Sequence, residues 1–338
     1  MENFDNLRAA AASMLRVNMN LADGERAAFI TDIAVPADWQ RFSVERLADI
    51  CRRSLMTKRI FEMMKEDFPA SPIDFLCFPM TAQHGTEPPE DLAEKMRGYD
   101  VIIAMTSHSL SHTNARTEAC KAGARIASMP DIEAEMFAPD GPMAADYMQI
   151  SALSEQWAGA LTAASEVQLT TPFGTDLSFS IAGRKGLADT GMLHKKGAFG
   201  NLPGGEAYTA PVEGTAHGRL VVPAGWYPGL KEEMTLVFEQ GCVVQLLGGG
   251  EVGASFTQMF AFGDETRKHR RNCAELGIGT NPNAKTPNNV LEAEKILGTV
   301  HVAVGDSAHM GGVNESDLHE DFVLTRPSVF FDGKQVMG

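Results

Sequence analysis

The hydrophobic pattern of this chain changes character once, and that change limits the folds open to it. Before about residue 150, apolar strand-like runs alternate with amphipathic stretches. AAFITDI ends at Ile33, a helix is expected from Ser43 to about Lys65, and the run IDFLCFPM follows. A helix near PEDLAEKMRG, the strand VIIAMTS, a helix from about Asn114 to Ala122 stopped by Gly123, and the strand ARIASMPD complete the series. Such alternation predicts a parallel sheet covered by helices. After a further helix ending near Ala164, the runs shorten and are divided by Gly and Pro: EVQLTTPFGTDLSFSIAGRKG, HGRLVVPAGWYPG, EEMTLVFEQGCVVQLLGG and GTVHVAVGD. That is the pattern of antiparallel strands. The expected fold class is α/β: an N-terminal open parallel-sheet domain over residues 1–164, then a mainly antiparallel β domain with helices over 165–338. A chain of 338 residues is long enough for two cores.

Local signals fill in the outline. Residues 3–21 place Phe4, Leu7, Ala11 and Met14 at helical spacing. Ser43 can cap the next helix, although Arg46 stands where a capping box has Glu or Gln. In the second half, helices are expected from about Gly253 through Thr266 to Cys273, and over Asn289 to Lys295.

Charge and motifs exclude several functions. The net charge is −15 with no run of Lys or Arg, which argues against nucleic acid and anionic membranes as partners. Neither GxGxxG nor GxxxxGK[ST] occurs at a strand-to-helix turn, so nothing supports a nucleotide site. The five cysteines are scattered without CxxC spacing, against a disulfide framework or a thiolate zinc site. The first residues lack the apolar core of a signal peptide, and no apolar stretch approaches a membrane span; a cytoplasmic protein is expected.

Chemistry concentrates near the C-terminal end, in LEAEKILGTVHVAVGDSAHMGGVNESDLHED. GTVHVAVG reads as a strand carrying His301, and His319 and Asp321, two apart, share a face if their segment is extended. An imidazole and a carboxylate aimed at one point can hold a divalent cation, although this segment alone reads equally as a surface His-Glu-Asp beside a buried histidine. Glu206 in NLPGGEAYTAP and Glu275 in AELGIGTNP are read as loop residues framed by glycines and apolar side chains. A carboxylate so enclosed needs a cation or several hydrogen-bond donors. Two imidazoles and three carboxylates suit two divalent ions better than one. His108 and His112 stand at i and i+4 near a strand-to-helix turn, with His112 the preferred substrate contact or proton relay. Lys295 is a candidate to hold a ligating carboxylate in place.

PGGEAYTAP, AELGIGTNP, EKILGTVHVAVGD and NESDLHEDFVL, with a trailing DGK, together resemble the leucyl aminopeptidases of the aminopeptidase T and aminopeptidase S type. SHTNARTEACKAGARIASMP agrees as well. The resemblance implies a dinuclear site of two zinc, cobalt or manganese ions at Glu206, Glu275, His301, His319 and Asp321. It also implies a homodimer, an enclosed cavity between domains, and hydrolysis of a short peptide or other small amide. Glu275 is then the residue expected to pass a proton to the leaving amine. The family tyrosine that follows the histidine matching His301 is missing; Ala308 and His309 stand there, and His309 can substitute as a proton donor. The sequence is also similar to the 2,5-dihydroxypyridine dioxygenase branch of the same fold. That branch implies one Fe(II) and opening of a hydroxylated ring, with His at the position of Glu275 and none at that of His301. On those two positions the chain sides with the hydrolases.

Overall fold

In the computed structural model, which describes residues 5–338, the first half builds a wholly parallel sheet. Its strands β1 (Ala27–Ile33), β2 (Ile73–Pro79), β3 (Val101–Met105) and β4 (Arg125–Ser128) are separated by helices, as the alternation predicts. Ser43 Oγ accepts from the Arg46 N–H at the start of the helix Val44–Asp67. Gly123, in the left-handed region at φ 111°, ends Asn114–Ala122, where a Cβ would be strained. Leu7, Ala11 and Met14 are buried within a first helical stretch that tightens and then widens along Asp5–Asn18; Phe4 lies outside the described residues.

The chain then supplies β5 (Glu166–Thr170), β6 (Asp176–Ser180) and β7 (Leu187–Asp189) before returning to the first sheet with β8 (Phe199–Asn201). The parallel order is β2-β1-β3-β4-β8. The remaining strands are β9 (Glu206–Thr209), β10 (His217–Val222), β11 (Met234–Glu239), β12 (Cys242–Gly248) and β13 (Cys273–Gly279). Last come β14 (Val300–Gly305), β15 (His319–Leu324), β16 (Ser328–Phe331) and β17 (Lys334–Met337). They form two antiparallel sheets, β12-β11-β10-β6-β5-β16-β17 and β15-β14-β13-β9-β7. The expected fold class is therefore the observed one.

The compact units are Met1–Tyr147 with Gly191–Gly204, and Met148–Thr190 with Gly205–Gly338. The chain thus crosses between them at three places instead of once at 164/165. The helix Tyr147–Ala163 joins the second unit beyond its first residue because Ala158 and Leu161 are buried in that unit's core. The helix expected over 253–273 is shorter, Gly250–Phe260, and is followed by a 3-10 segment Glu265–Arg271. The second expected helix shrinks to Val290–Ala293.

One face of the five-stranded antiparallel sheet is apolar. Ala207, Leu276, Ile278, Val300, Val302, Val304, Phe322 and Leu324 all lie in a single buried cluster. Side chains alternate across a strand, so the opposite face receives their neighbours. Those neighbours are not apolar.

Candidate metal centre

Four adjacent strands deliver the second face. Glu206 on β9 pairs with Gly279, Gly277 on β13 with His301 on β14, and Ala303 with both Glu275 and Asp321. His319 on β15 stands opposite Gly305. Glu206 and Glu275 are thus strand residues, not loop residues, and Gly277 and Gly279 of β13 serve a different purpose from turning the chain. A Cβ on Gly277 would lie 1.9 Å from His301 Nε2. The absent side chain is what lets the imidazole lie across the neighbouring strand.

The start of β13 carries an irregularity. The register of β13 against β14 slips between Cys273 and Glu275. Cys273, Leu276 and Ile278 all belong to the apolar cluster, which strict alternation would not allow. The extra residue, Ala274, lets Cys273 join the core, while Glu275 keeps the regular alternation that sets it on the face of Gly277 and His301.

The five predicted residues converge. Glu275 Oε1 is 3.3 Å from His301 Nε2, and its Oε2 is 3.2 Å from His319 Nε2. Asp321 Oδ1 is 3.7 Å from His319 Nε2, and Glu206 Oε2 is 3.4 Å from His301 Nε2. Ligands bound at about 2.1 Å to one ion stand roughly 3 Å apart when adjacent, so these separations suit a shared cation. Two groups offer ligand atoms within 4.8 Å of one another: Glu275, His301 and Asp321, and Glu206, Glu294 and His301. The fit has an independent mark. Glu206 Oε2, Asp321 Oδ1 and His301 Nδ1 are buried without a hydrogen-bond partner, which is costly unless something else meets them.

His319 is set for ligation. Its Nδ1 lies 2.8 Å from the Asp306 carbonyl oxygen. A carbonyl only accepts, so Nδ1 carries a proton and Nε2 faces the carboxylates. Lys295, 1% exposed, holds Glu206 as anticipated, with Nζ 2.5 Å from Oε1. It also reaches Glu294 Oε1 at 2.8 Å and Asp189 Oδ2 at 3.6 Å. The sequence reading missed Glu294 and Asp189. No local signal separates Glu294 from the neighbouring acids of LEAEK, and Asp189 arrives on the short edge strand β7.

Charge in the cluster is strongly coupled. Burial opposes ionisation of Glu275, but hydrogen bonds from His301 and His319 outweigh it and hold the carboxyl below its usual range. Burial also disfavours both imidazolium ions, yet the surrounding carboxylates raise His301 to about 9 and His319 to about 10. Burial pushes Asp321 up to about 6 and raises Glu206 and Glu294. The carboxylates around Lys295 overcome its burial and keep it charged. Protons on the two histidines therefore supply, in the metal-free protein, part of the positive charge that a cation would bring.

The other predicted residues are in neither ligand group. His309 is on the turn after β14, with Nδ1 2.7 Å from Asp306 Oδ2 and its ring edge-on to His319 at 5.3 Å between centroids. Neither ligand group includes it. His112 belongs to the first unit, exposed on the turn before the helix Asn114–Ala122. Arg116 stacks over Phe199, 4.5 Å from guanidinium carbon to ring centroid, and donates to the Ser111 carbonyl.

This geometry gathers candidate metal ligands on one face of an antiparallel sheet. The family model described as NicX: 2,5-dihydroxypyridine 5,6-dioxygenase matches residues 69–338, and the chain belongs to that family. A curated relative, the 2,5-dihydroxypyridine 5,6-dioxygenase of Pseudomonas putida KT2440, is 22% identical over 252 residues, spanning 70% of this chain and 69% of the relative. The solved structure of 2,5-dihydroxypyridine dioxygenase from Pseudomonas putida KT2440 aligns with a TM-score of 0.70 at 17% identity, covering 100% of this chain and 96% of that one. Wild-type AmpT from Thermus thermophilus aligns with a TM-score of 0.66 at 16% identity, covering 98% and 97%. At these identities the structural likeness shows a shared fold. The aminopeptidase resemblance read from the motifs is thus a likeness of fold, and the family match falls on the dioxygenase branch. Among the described residues, no helix is long and apolar enough to cross a membrane.

Proposed function

We propose that this chain is an Fe(II)-dependent dioxygenase that opens a small hydroxylated aromatic or nitrogen-heteroaromatic ring. The observation that carries this is the group Glu275, His301 and Asp321, whose ligand atoms lie within 4.8 Å of one another, with His319 Nε2 3.2 Å from the second Glu275 oxygen; imidazole and carboxylate donors together suit non-haem Fe(II). Family membership and the name of the curated relative support the reaction class. Fe(II), when bound by Glu275, His301, His319 and Asp321, supplies a redox-active centre at which ring hydroxyls and dioxygen can be brought together.

The protein's own residues prepare that seat. Both imidazoles must shed the Nε2 proton to ligate, while the Asp306 carbonyl keeps the proton on His319 Nδ1 and fixes the ring plane. Glu275, held ionised, lies between the two rings and fixes their spacing. Apolar residues of the sheet's far face close the site from behind and exclude water there.

A second reading, an aminopeptidase-like amide hydrolase with two ions, is favoured by the additional ligand group Glu206, Glu294 and His301. The two are separated by one pair of assays on iron-loaded protein: oxygen uptake with 2,5-dihydroxypyridine, and anaerobic hydrolysis of leucine p-nitroanilide. Oxygen consumed in proportion to ring opened supports the dioxygenase. Hydrolysis sustained without oxygen, with no uptake on the pyridine, overturns it.

A further inference from the structure

We propose that Glu213 and Arg184 form a latch that positions His309 beside the metal centre, where that imidazole carries protons to or from substrate. The inference deepens the reaction reading above and rests on it for the role of His309, while the latch itself is tested without turnover. All the residues involved belong to the second unit.

The turn between β14 and β15 is organised by Asp306. Its main-chain carbonyl accepts from His319 Nδ1 at 2.8 Å, and its carboxylate lies 2.7 Å from His309 Nδ1. One residue thus serves both imidazoles, but they are not equally secure. His319 is a strand residue paired with Gly305, and beside it the Asp306 N–H donates to the Leu318 carbonyl at 2.7 Å. His309 stands on a three-residue 3-10 turn, Ala308–Met310, followed by Gly311 and Gly312, and its side chain is 43% exposed. So short a turn has too few hydrogen bonds to fix a side chain by itself.

Glu213 supplies the restraint from another loop. Its Oε1 accepts from the Val313 N–H at 2.7 Å and from Ser307 Oγ at 3.2 Å, at the two ends of the turn. Its Oε2 is ion-paired with Arg184, whose guanidinium also donates to the Gly311 carbonyl. Burial opposes ionisation of Glu213, but the Val313 N–H, Arg184 and Ser307 outweigh it and hold the carboxyl below its usual range. An ionised acceptor makes the stronger bonds. Gly312 lets the turn close: its N–H donates to the Ser307 carbonyl at 2.9 Å, and a Cβ there would stand 2.1 Å from Ser307 Oγ and 2.9 Å from Glu213 Oε1. Neither Glu213 nor Arg184 belongs to a ligand group, so opening the latch should disturb His309 and spare the metal seat.

The first test uses full-length, metal-free protein and the histidine C2–H signals in proton magnetic resonance, with the His309 signal assigned by its loss in His309→Ala. In Glu213→Gln that signal is expected to shift, while the signal of His194, in the first unit, stays in place. An unmoved His309 signal overturns the latch whatever the reaction. The second test measures oxygen uptake with 2,5-dihydroxypyridine on Fe(II)-saturated protein. Glu213→Gln is expected to keep native iron content and lose about tenfold in kcat, a misplacement effect smaller than deletion of the imidazole. Added to His309→Ala, it should cost nothing further, because the two act as one unit. An equal loss in both backgrounds, a loss of iron, or a native kcat in His309→Ala overturns the proposal. Should Glu213→Gln fail to fold, Gly312→Ala opens the same latch and decides by the same readings. A native chain that takes up no oxygen fails the reaction reading instead, and the resonance test then decides the latch alone.

Discussion

Gly277 lies directly opposite His301 in the β13–β14 pair, and a methyl group on Gly277 would stand 1.9 Å from the ring nitrogen that faces the carboxylates. The glycine keeps no unusual backbone angle, so its role is space alone. Gly277→Ala should leave the sheet intact and push His301 off its seat. The expected cost is about 1–3 kcal/mol of stability, typical of overpacking. Metal affinity should fall by more than tenfold, measured by titration with Fe(II) or Mn(II) beside a circular dichroism check of fold. Native affinity in a folded Gly277→Ala protein would remove His301 from the ligand set.

The two ligand histidines make the metal-free protein sensitive to alkali. Their folded values, about 9 and about 10, lie above the ordinary imidazole value of about 6.5. A raised value means the folded state binds the proton more tightly. That stabilisation is complete below about pH 6.5 and is lost as pH climbs through 9 and 10. Asp321, raised to about 6 by burial, has the same sign at lower pH, costing stability as it ionises up to that pH. Apo protein should therefore lose thermal stability between pH 7 and 10. Over the same range Mn(II) affinity should rise, because the protons that compete for Nε2 leave. Melting curves with and without metal test both slopes; an apo melting temperature unchanged from pH 7 to 10 would contradict the protonated pair.

Much of this site was readable before the fold was known, because side-chain alternation on a strand is a strict rule. It placed His301 on β14 and set His319 and Asp321 on one face of β15. The same logic failed for Glu206 and Glu275. Glycine is the commonest turn residue, so PGGEAYTAP and AELGIGTNP read as loops. Here Gly277 and Gly279 are spacers that admit the His301 ring and the Lys295–Ile296 backbone. The bulge at Ala274 has no local signature either, and it decides that Cys273 joins the core. In the first half, strand–helix alternation disclosed β1 to β4. It could not disclose β8, three residues that return from between strands of the other unit to extend the parallel sheet.

Tyr227 links the site strand to the core behind it. Its hydroxyl donates to Glu320 Oε2 at 2.9 Å, and its ring packs against Phe256 and Phe322. Glu320 lies between His319 and Asp321 in sequence but points to the sheet's other face. Tyr227→Phe keeps the packing and removes the donor, leaving a half-buried carboxyl short of a partner. A loss of about 1–3 kcal/mol is expected in denaturant melts, with metal stoichiometry unchanged. A loss of bound metal in this variant would mean that the two faces of β15 are not independent.

His309 and His319 touch edge to face, and their substitutions should have opposite consequences. His319 faces Glu275 and Asp321 with Nε2, so His319→Ala removes a ligand and should abolish tight metal binding and turnover together. His309 is held at Nδ1 by Asp306 but contributes to neither ligand group. An imidazole oriented by a carboxylate at the edge of the centre is suited to carry protons to or from substrate. His309→Ala should keep full metal loading and lose less than about 0.5 kcal/mol of stability, as expected for a half-exposed side chain. Its kcat at full loading should fall by roughly 10²-fold, within the range general acid–base catalysis supplies. The comparison is made on metal-saturated proteins, so a fall in kcat cannot be ascribed to lost metal. An unchanged kcat in His309→Ala would leave that histidine as a neighbour of the centre with no part in its chemistry.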